Sequence, residues 1–176
     1  MKLYRFSPII SLEVLLEAWR HIHEESYKLC MNSFDQFLDN SGNLGIFCHY
    51  DDEYDRLVKI RETLTEPSDN PNQKYFRLHE PIIYKASESA PAWIYTHLYI
   101  RKPDPYRHHV GDLDFYLPLS DYQKLKQEFT EWKSLPWSRL FPRTDLDMIE
   151  LYDPDSDVLA YVSTNMMSER VRIKQL

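Results

Sequence analysis

Residues 93–119 read WIYTHLYIRKPDPYRHHVGDLDFYLPL, and the fold turns on how this stretch is interpreted. From residue 94 to 101 the side chains alternate. Ile94, Thr96, Leu98 and Ile100 share one face, and Tyr95, His97, Tyr99 and Arg101 share the other, the two-residue period of a strand with one dry side. After a loop containing Pro103 and Pro105, Leu113, Phe115 and Leu117 alternate with Asp112, Asp114 and Tyr116. This second run is expected to return against the first as a hairpin. Only registers that set an even-numbered residue of the first run against an odd-numbered residue of the second put both apolar rows on one face, since a slip of one residue would bury Asp114 against Leu98. The expected hairpin therefore gathers Tyr95, His97, Tyr99, Arg101, Asp112, Asp114 and Tyr116 on a single face, which is the candidate site.

Toward the N-terminus, residues 2–6 read as a short strand broken by Ser7-Pro8, and Ser11 as the N-cap of a helix over 12–30. Its inward stripe is Leu12, Leu15, Leu16, Trp19 and Ile22, and its outer face carries His21, His23, Glu24 and Glu25. His21 and Glu25 have the spacing of a metal pair on a helix surface, although an exposed ion pair is the simpler expectation. A polar turn at 39–43 leads into an interior strand over 44–49. Asp51 and Asp52 then start a second helix, which buries Tyr54, Leu57, Val58 and Leu64 and stops before Pro67. Residues 66–73, EPSDNPNQ, form a surface loop, and 74–84 a strand.

Toward the C-terminus, Ser120 or Asp121 caps a third helix with Tyr122, Leu125, Phe129 and Trp132 inward, ended by Pro136. A short strand over 137–141 follows, then a hairpin of 147–152 with 157–162 around the turn Asp153-Pro154-Asp155-Ser156. The basic segment 169–176 reads as a solvated, mobile tail. No internal repeat is visible in the residues. The expected architecture is a single α+β domain over 1–176, with a mixed or mostly antiparallel curved sheet packed with about three helices.

Composition bounds what such a domain can do. The 176 residues are 43% hydrophobic and 14% aromatic, a folded rather than a disordered chain, and eleven prolines against three glycines imply stiff turns. A net charge of -7 argues against a protein that coats nucleic-acid backbones. Cys30 and Cys48 lie far apart in apolar surroundings and are expected to be buried free thiols. With no signal-peptide pattern and no membrane-spanning apolar run, a cytoplasmic location is expected.

The chemistry-bearing residues concentrate in the opening stretch. Asp112 and Asp114, two apart on a strand, suit a divalent metal or proton handling. His97, with His79 on a neighbouring strand and His108 and His109 in the loop, suits a ligand or a general base. Arg101, beside Lys102 and Arg107, suits a carboxylate or phosphate. The run Asp153-x-Asp155-x-Asp157 lacks the later positions of a calcium loop. The string Asp112-Leu113-Asp114-Phe115 resembles the carboxylate motif of nucleotidyltransferases, although the Gly-Ser turn of that family is absent from 99–103.

From Thr96 onward, THLYIRKPD near the start and MIELYDPDSDVLAYV near the end resemble one βαβββ module of the vicinal oxygen chelate superfamily, which includes glyoxalases and ring-cleaving dioxygenases. The resemblance implies a divalent metal held by a His on the first strand and a Glu on the last. His97 matches the first position, and the second falls at Ala160.

Two function classes follow. The first is a pocket for a small anionic or aromatic ligand, extended to enzymatic chemistry with a divalent metal. His97 and Asp114 would be its catalytic groups, His97, Asp112 and Asp114 its metal ligands, and Tyr95, Tyr99, Arg101 and Tyr116 its ligand-binding residues. The second is a non-enzymatic interaction or regulatory domain whose Tyr- and Trp-rich surface docks a protein partner or a second copy as a homodimer.

Overall fold

The computed structural model describes residues 4–130, 137–141 and 146–172. Ser11 starts α1 (Leu12–Phe34): its hydroxyl accepts the Val14 amide at 3.4 Å, and Asp35 ends the helix in the left-handed region at φ 54°. No proline or glycine intervenes, so α1 continues past the expected end at residue 30. There follow β1 (Asp39–Phe47), α2 (Asp51–Leu64), β2 (Phe76–Tyr84), β3 (Trp93–Arg101), β4 (Gly111–Leu117), α3 (Leu119–Thr130), β5 (Ser138–Leu140), β6 (Ile149–Leu151), β7 (Val158–Thr164) and α4 (Asn165–Arg170). The strands form one open mixed sheet in the order β2-β3-β1-β4-β7-β6-β5, so the chain is an α+β domain.

The expected hairpin of β3 with β4 does not form. β1 lies between them, parallel to β3 and antiparallel to β4. The alignment that the apolar rows demanded nevertheless survives through the intervening strand. Leu98, Leu44 and Leu113 stand in one row, and Tyr99, Gly45 and Asp112 in the next.

This topology contains a repeat that the residues hide. β1-α2-β2-β3 and β4-α3-β6-β7 have the same element order, and in each the first strand pairs parallel with the last, which pairs antiparallel with the one before it. β1 and β4 join the two units, and β5 extends the second. α1 lies across this seam, where side chains would obstruct it. A Cβ on Gly111 would stand 2.0 Å from the Gly45 carbonyl oxygen and 2.5 Å from Ile22 Cδ1.

The sheet has two unlike faces. On the back, Trp19 and Ile22 of α1, Leu57 of α2 and Tyr122 of α3 belong to one core with Leu44, Leu98, Leu113 and Ala160. The front carries a smaller cluster that includes Phe47, Tyr75, Leu159, Tyr161 and Val171.

Several local expectations are corrected. Of the strand expected at 2–6, the described residues 4–6 form a turn, closed by the Ser7 amide on the Tyr4 carbonyl at 3.1 Å. The polar run 39–43 is not a turn between elements. It belongs to β1, which absorbs Gly42 at φ 77° by a register shift between Asn40 and Leu44. His23 does not face solvent, being 2% exposed. The tail does not start at 169: Val171 is buried, and Arg172 is tied to the sheet. Residues 173–176, Trp132 and Pro136 lie outside the described residues.

The β6–β7 hairpin forms as expected, with the Asp155 amide on Asp153 Oδ1 at 2.8 Å in its turn. Both cysteines are buried free thiols. Among the described residues, no helix is long and apolar enough to cross a membrane.

Candidate functional site

Strand register lines up one polar row across the front of the sheet. Arg77 of β2 pairs with His97 of β3, and His97 with Asn43 of β1. Asn43 Nδ2 donates to Asp114 Oδ2 of β4 at 3.1 Å. Asp114 then pairs with Tyr161 of β7, Tyr161 with Glu150 of β6, and Glu150 with Arg139 of β5. Paired residues share a face, so seven side chains from seven strands stand together. Along the row Arg77 and His97 stand at one end, Asp114 at the centre, and Glu150 with Arg139 at the other end.

Those carboxylates are buried. Glu150 is 1% exposed and compensated, since Arg139 donates to it through Nε at 2.8 Å and through Nη2, while Arg107 Nη1 lies 3.9 Å away. Asp114 is 4% exposed and accepts a hydrogen bond from Asn43 Nδ2. Asp112, one step along β4 from the row, is different. It is 8% exposed, and its Oδ1 is buried with no hydrogen-bond partner among the described residues. The carboxylate lies over Gly45, where a Cβ would approach Oδ1 to 1.8 Å. Burial first, and then the neighbouring Asp114 charge, hold its pKa well above the usual carboxylate range, against the pull of Lys74, Arg101 and Arg107. Asp112 and Asp114 titrate as a pair, with Asp114 also raised by burial.

Tyrosines surround this acid. Tyr75 and Tyr99 have ring centroids 5.2 Å apart, and Lys74 Nζ lies 4.9 Å from the Tyr99 ring. Asp112 is among the charges that raise the Tyr75, Tyr99 and Tyr161 hydroxyls, after burial as the main cause. A cover closes the face. The Lys74 and Tyr75 amides donate to the Arg172 carbonyl at 3.2 and 3.1 Å, and Ser168 accepts from Asn43 Nδ2 at 3.0 Å.

The expected site is therefore partly assembled. Tyr99, Asp112 and Asp114 come together, and Tyr116 lies half-buried in line with them on β4, paired with Ser163. Tyr95 does not join them. The β2–β3 register shifts between Arg77 and Ile82, the alternation of β3 loses phase, and Tyr95 enters the back core, its hydroxyl 2.7 Å from His23 Nδ1 and 3.2 Å from Asn40 Nδ2. Arg101 is engaged locally, donating to Asp104 Oδ2 at 2.8 Å and lying over the Phe47 ring at 5.0 Å.

His97 sits on the cationic side of the row. Its pKa falls to about 4 through burial and then through Arg172 and Arg77. Among the described residues no group of three His, Cys, Asp or Glu is placed to hold a metal ion, so His97, Asp112 and Asp114 do not meet as ligands. His79 is exposed, and His108 stacks on His109 at 4.3 Å. His21 pairs with Asp157 at 2.6 Å rather than with Glu25.

The residues that complete the site were missed for identifiable reasons. Gly45 and Asn43 lie in a stretch divided between turn and strand, and Tyr75 in the run after a loop. Tyr161 and Arg172 are distant in sequence, and only the parallel β4–β7 pairing and the helix after β7 bring them in. Two surface grooves, of about 370 Å³ beside Phe6 and Arg20 and about 390 Å³ beside Trp93 and Gly42, do not reach Asp112. The uncompensated acid, not the volume of a groove, locates the site.

No family model matches the chain, and no curated protein matches it. Among solved structures, a chain described as "Structural Genomics, Protein EC4020" is similar with a TM-score of 0.57 and 15% identity, over 97% of this chain and 98% of that one. At that identity the likeness concerns the fold alone.

Proposed function

We propose that this chain is a binding domain for a small aromatic molecule bearing a hydrogen-bond donor, which Asp112 meets on the front face. The supporting observation is that one carboxylate oxygen of Asp112, Oδ1, is buried with no hydrogen-bond partner among the described residues. Glu150 and Asp114 are compensated by their neighbours, whereas Asp112 neither caps a helix nor makes an ion pair among the described residues. A protein that only needed the volume would be more stable with a neutral side chain there.

The tyrosines supply walls, and aromatic faces stack well on a planar ligand. Burial, and then the neighbouring Asp114, hold the Asp112 proton exchangeable nearer neutrality than that of an ordinary carboxyl, which suits an acid that shares or transfers a proton. The carboxylates are read as proton-handling groups rather than metal ligands, because His97 stands with the arginines. Entry requires the cover formed by residues 73–75 and 168–172 to part.

Phenol and anisole share a ring and differ in the donor. In thermal-shift titrations phenol is expected to stabilise the wild-type chain more than anisole, and Asp112→Leu to erase the difference. Equal effects of the two probes on the wild type, or a preference for phenol that survives Asp112→Leu, would overturn the reading.

A further inference from the structure

We infer that Arg77, His97 and Arg172 form a subsite for an oxyanion, the carboxylate or phosphate group of the ligand. This rests on the reading above only in placing the ligand on the front face; it uses neither Asp112 nor the tyrosines. The three side chains come from β2, β3 and the residue pair after α4, and register brings them to one end of the polar row: Arg77 is paired with His97, and His97 with Asn43.

Arg172 is positioned by neutral acceptors. Its Nε donates to Asn43 Oδ1 at 2.9 Å and its Nη2 to the Ser41 carbonyl at 3.0 Å; among the described residues no carboxylate lies within 4.0 Å of it, Glu169 and Asp114 acting on its charge only from farther off. Amide and carbonyl oxygens orient a guanidinium without cancelling its charge, which is what an anion-binding arginine needs. Arg77 has only a loose pair, Glu66 at 3.7 Å, with both side chains more than half exposed, and solvent screens it. His97 Nδ1 lies 2.9 Å from Thr96 Oγ1, so Nε2 is the ring atom turned to a ligand.

The groups facing His97 are thus Arg77 from β2, Arg172 from the segment after α4, and the uncharged Thr96 and Asn43. Burial first, and then the two arginines, oppose its protonation, and an oxyanion placed among them would offset the arginines' share. Space for the ligand adjoins the subsite, because Ser41 and Thr96, the partners of Arg172 and His97, both line the groove of about 390 Å³ that also holds Trp93. Arg101, the anchor expected from sequence, is occupied by Asp104.

The test is an NMR pH titration of the His97 ring in the intact chain, in chloride and then in phosphate or trifluoroacetate, both anionic throughout the titration, at equal ionic strength. In chloride the ring is expected to titrate near 4, and phosphate to raise that value by roughly one pH unit, the effect of one opposite charge at close range. A matching response to trifluoroacetate would assign any oxyanion, and a response to phosphate alone would assign a phosphate group. Arg172→Gln is expected to raise the chloride value, because a cation is lost, and to abolish the response to the anion. Arg77→Gln, a change at an exposed strand position that leaves the fold intact, is expected to weaken that response.

A ring indifferent to both anions, or an equal response in Arg172→Gln, would overturn the inference. The response is expected to persist in Asp112→Leu. Failure of the phenol test would then leave this subsite standing, and failure here would leave the acid site standing.

Discussion

Asp112 lies opposite Gly45, and each depends on the other. Gly45 carries no side chain, so the carboxylate can lie close against β1, and among the described residues nothing donates to its Oδ1. A carboxyl whose folded pKa is raised favours the folded state at low pH, and that contribution is lost as pH rises through the folded value. Asp112→Asn should therefore be close to neutral in acid and stabilising in alkali, by about 1–3 kcal/mol or roughly 2–4 °C per kcal/mol for a chain of this size. Denaturation midpoints across pH measure it, and a constant difference would refute the assignment. Gly45→Ala should cost about 1–3 kcal/mol by overpacking against the carboxylate. Most of that cost should vanish in an Asp112→Ser background, a coupling that a double-mutant cycle reads directly. The aspartates were visible in the sequence as a pair on one strand face. The glycine opposite was not, because cross-strand partners eleven residues or sixty apart look alike before the strands are ordered.

At the scale of elements, one buried carboxylate joins the chain's N-terminal segment to α2. Glu53 is fully buried, accepting from the Ile9 amide through Oε1 at 2.7 Å and from the His49 and Tyr50 amides through Oε2 at 2.7 and 3.3 Å. It completes the capping box of α2 and also anchors residues outside that helix. Glu53→Gln turns one acceptor into a donor facing N–H groups and should cost about 1.5–3 kcal/mol. Amide hydrogen exchange should quicken at Ile9 and His49 before the rest of α2; unchanged exchange there would argue against the anchor. The helix itself was readable from Asp51, Asp52 and the spacing of Leu57 and Leu64. Its link to Ile9 was not, because a fully satisfied buried glutamate has the same sequence signature as a solvated one.

For the whole molecule, histidine burial sets the acid limb of stability. Burial is the main cause that brings His23, His97 and His109 down to about 4. Each stays neutral in the folded chain while the unfolded chain takes up a proton below about 6.5, so stability rises with pH between about 4 and 6.5. Burial lowers His49 in the same sense; Asp112 and Asp114 act in the opposite sense, but two groups do not cancel four. The urea midpoint should climb across this window and then flatten or fall as the acid pair ionises. A midpoint that fell as pH rose from about 4 to 6.5 would contradict the burial of these rings. Replacing His23, which packs against Tyr27, Tyr84 and Tyr95, with a non-titrating residue should remove part of that slope.

Periodicity alone determined the mixed α+β class, α1 to α3, the β6–β7 hairpin and the face shared by His97, Tyr99, Asp112 and Asp114. These follow from local steric preference and from the side-chain alternation of a strand, which the sequence carries in every few residues. Strand order was decided only in the tertiary structure. Inserting β1 between β3 and β4 preserves both apolar rows, so no local pattern distinguishes that arrangement from a hairpin. The loss of phase that sends Tyr95 to the back core arises where β2 and β3 shift register, a property of two strands together. Arg172 reaches the polar row for the same kind of reason. Its partner Asn43 lies 129 residues earlier in the sequence, and only the pairing of β7 in the sheet and the helix that follows it bring the two within 2.9 Å.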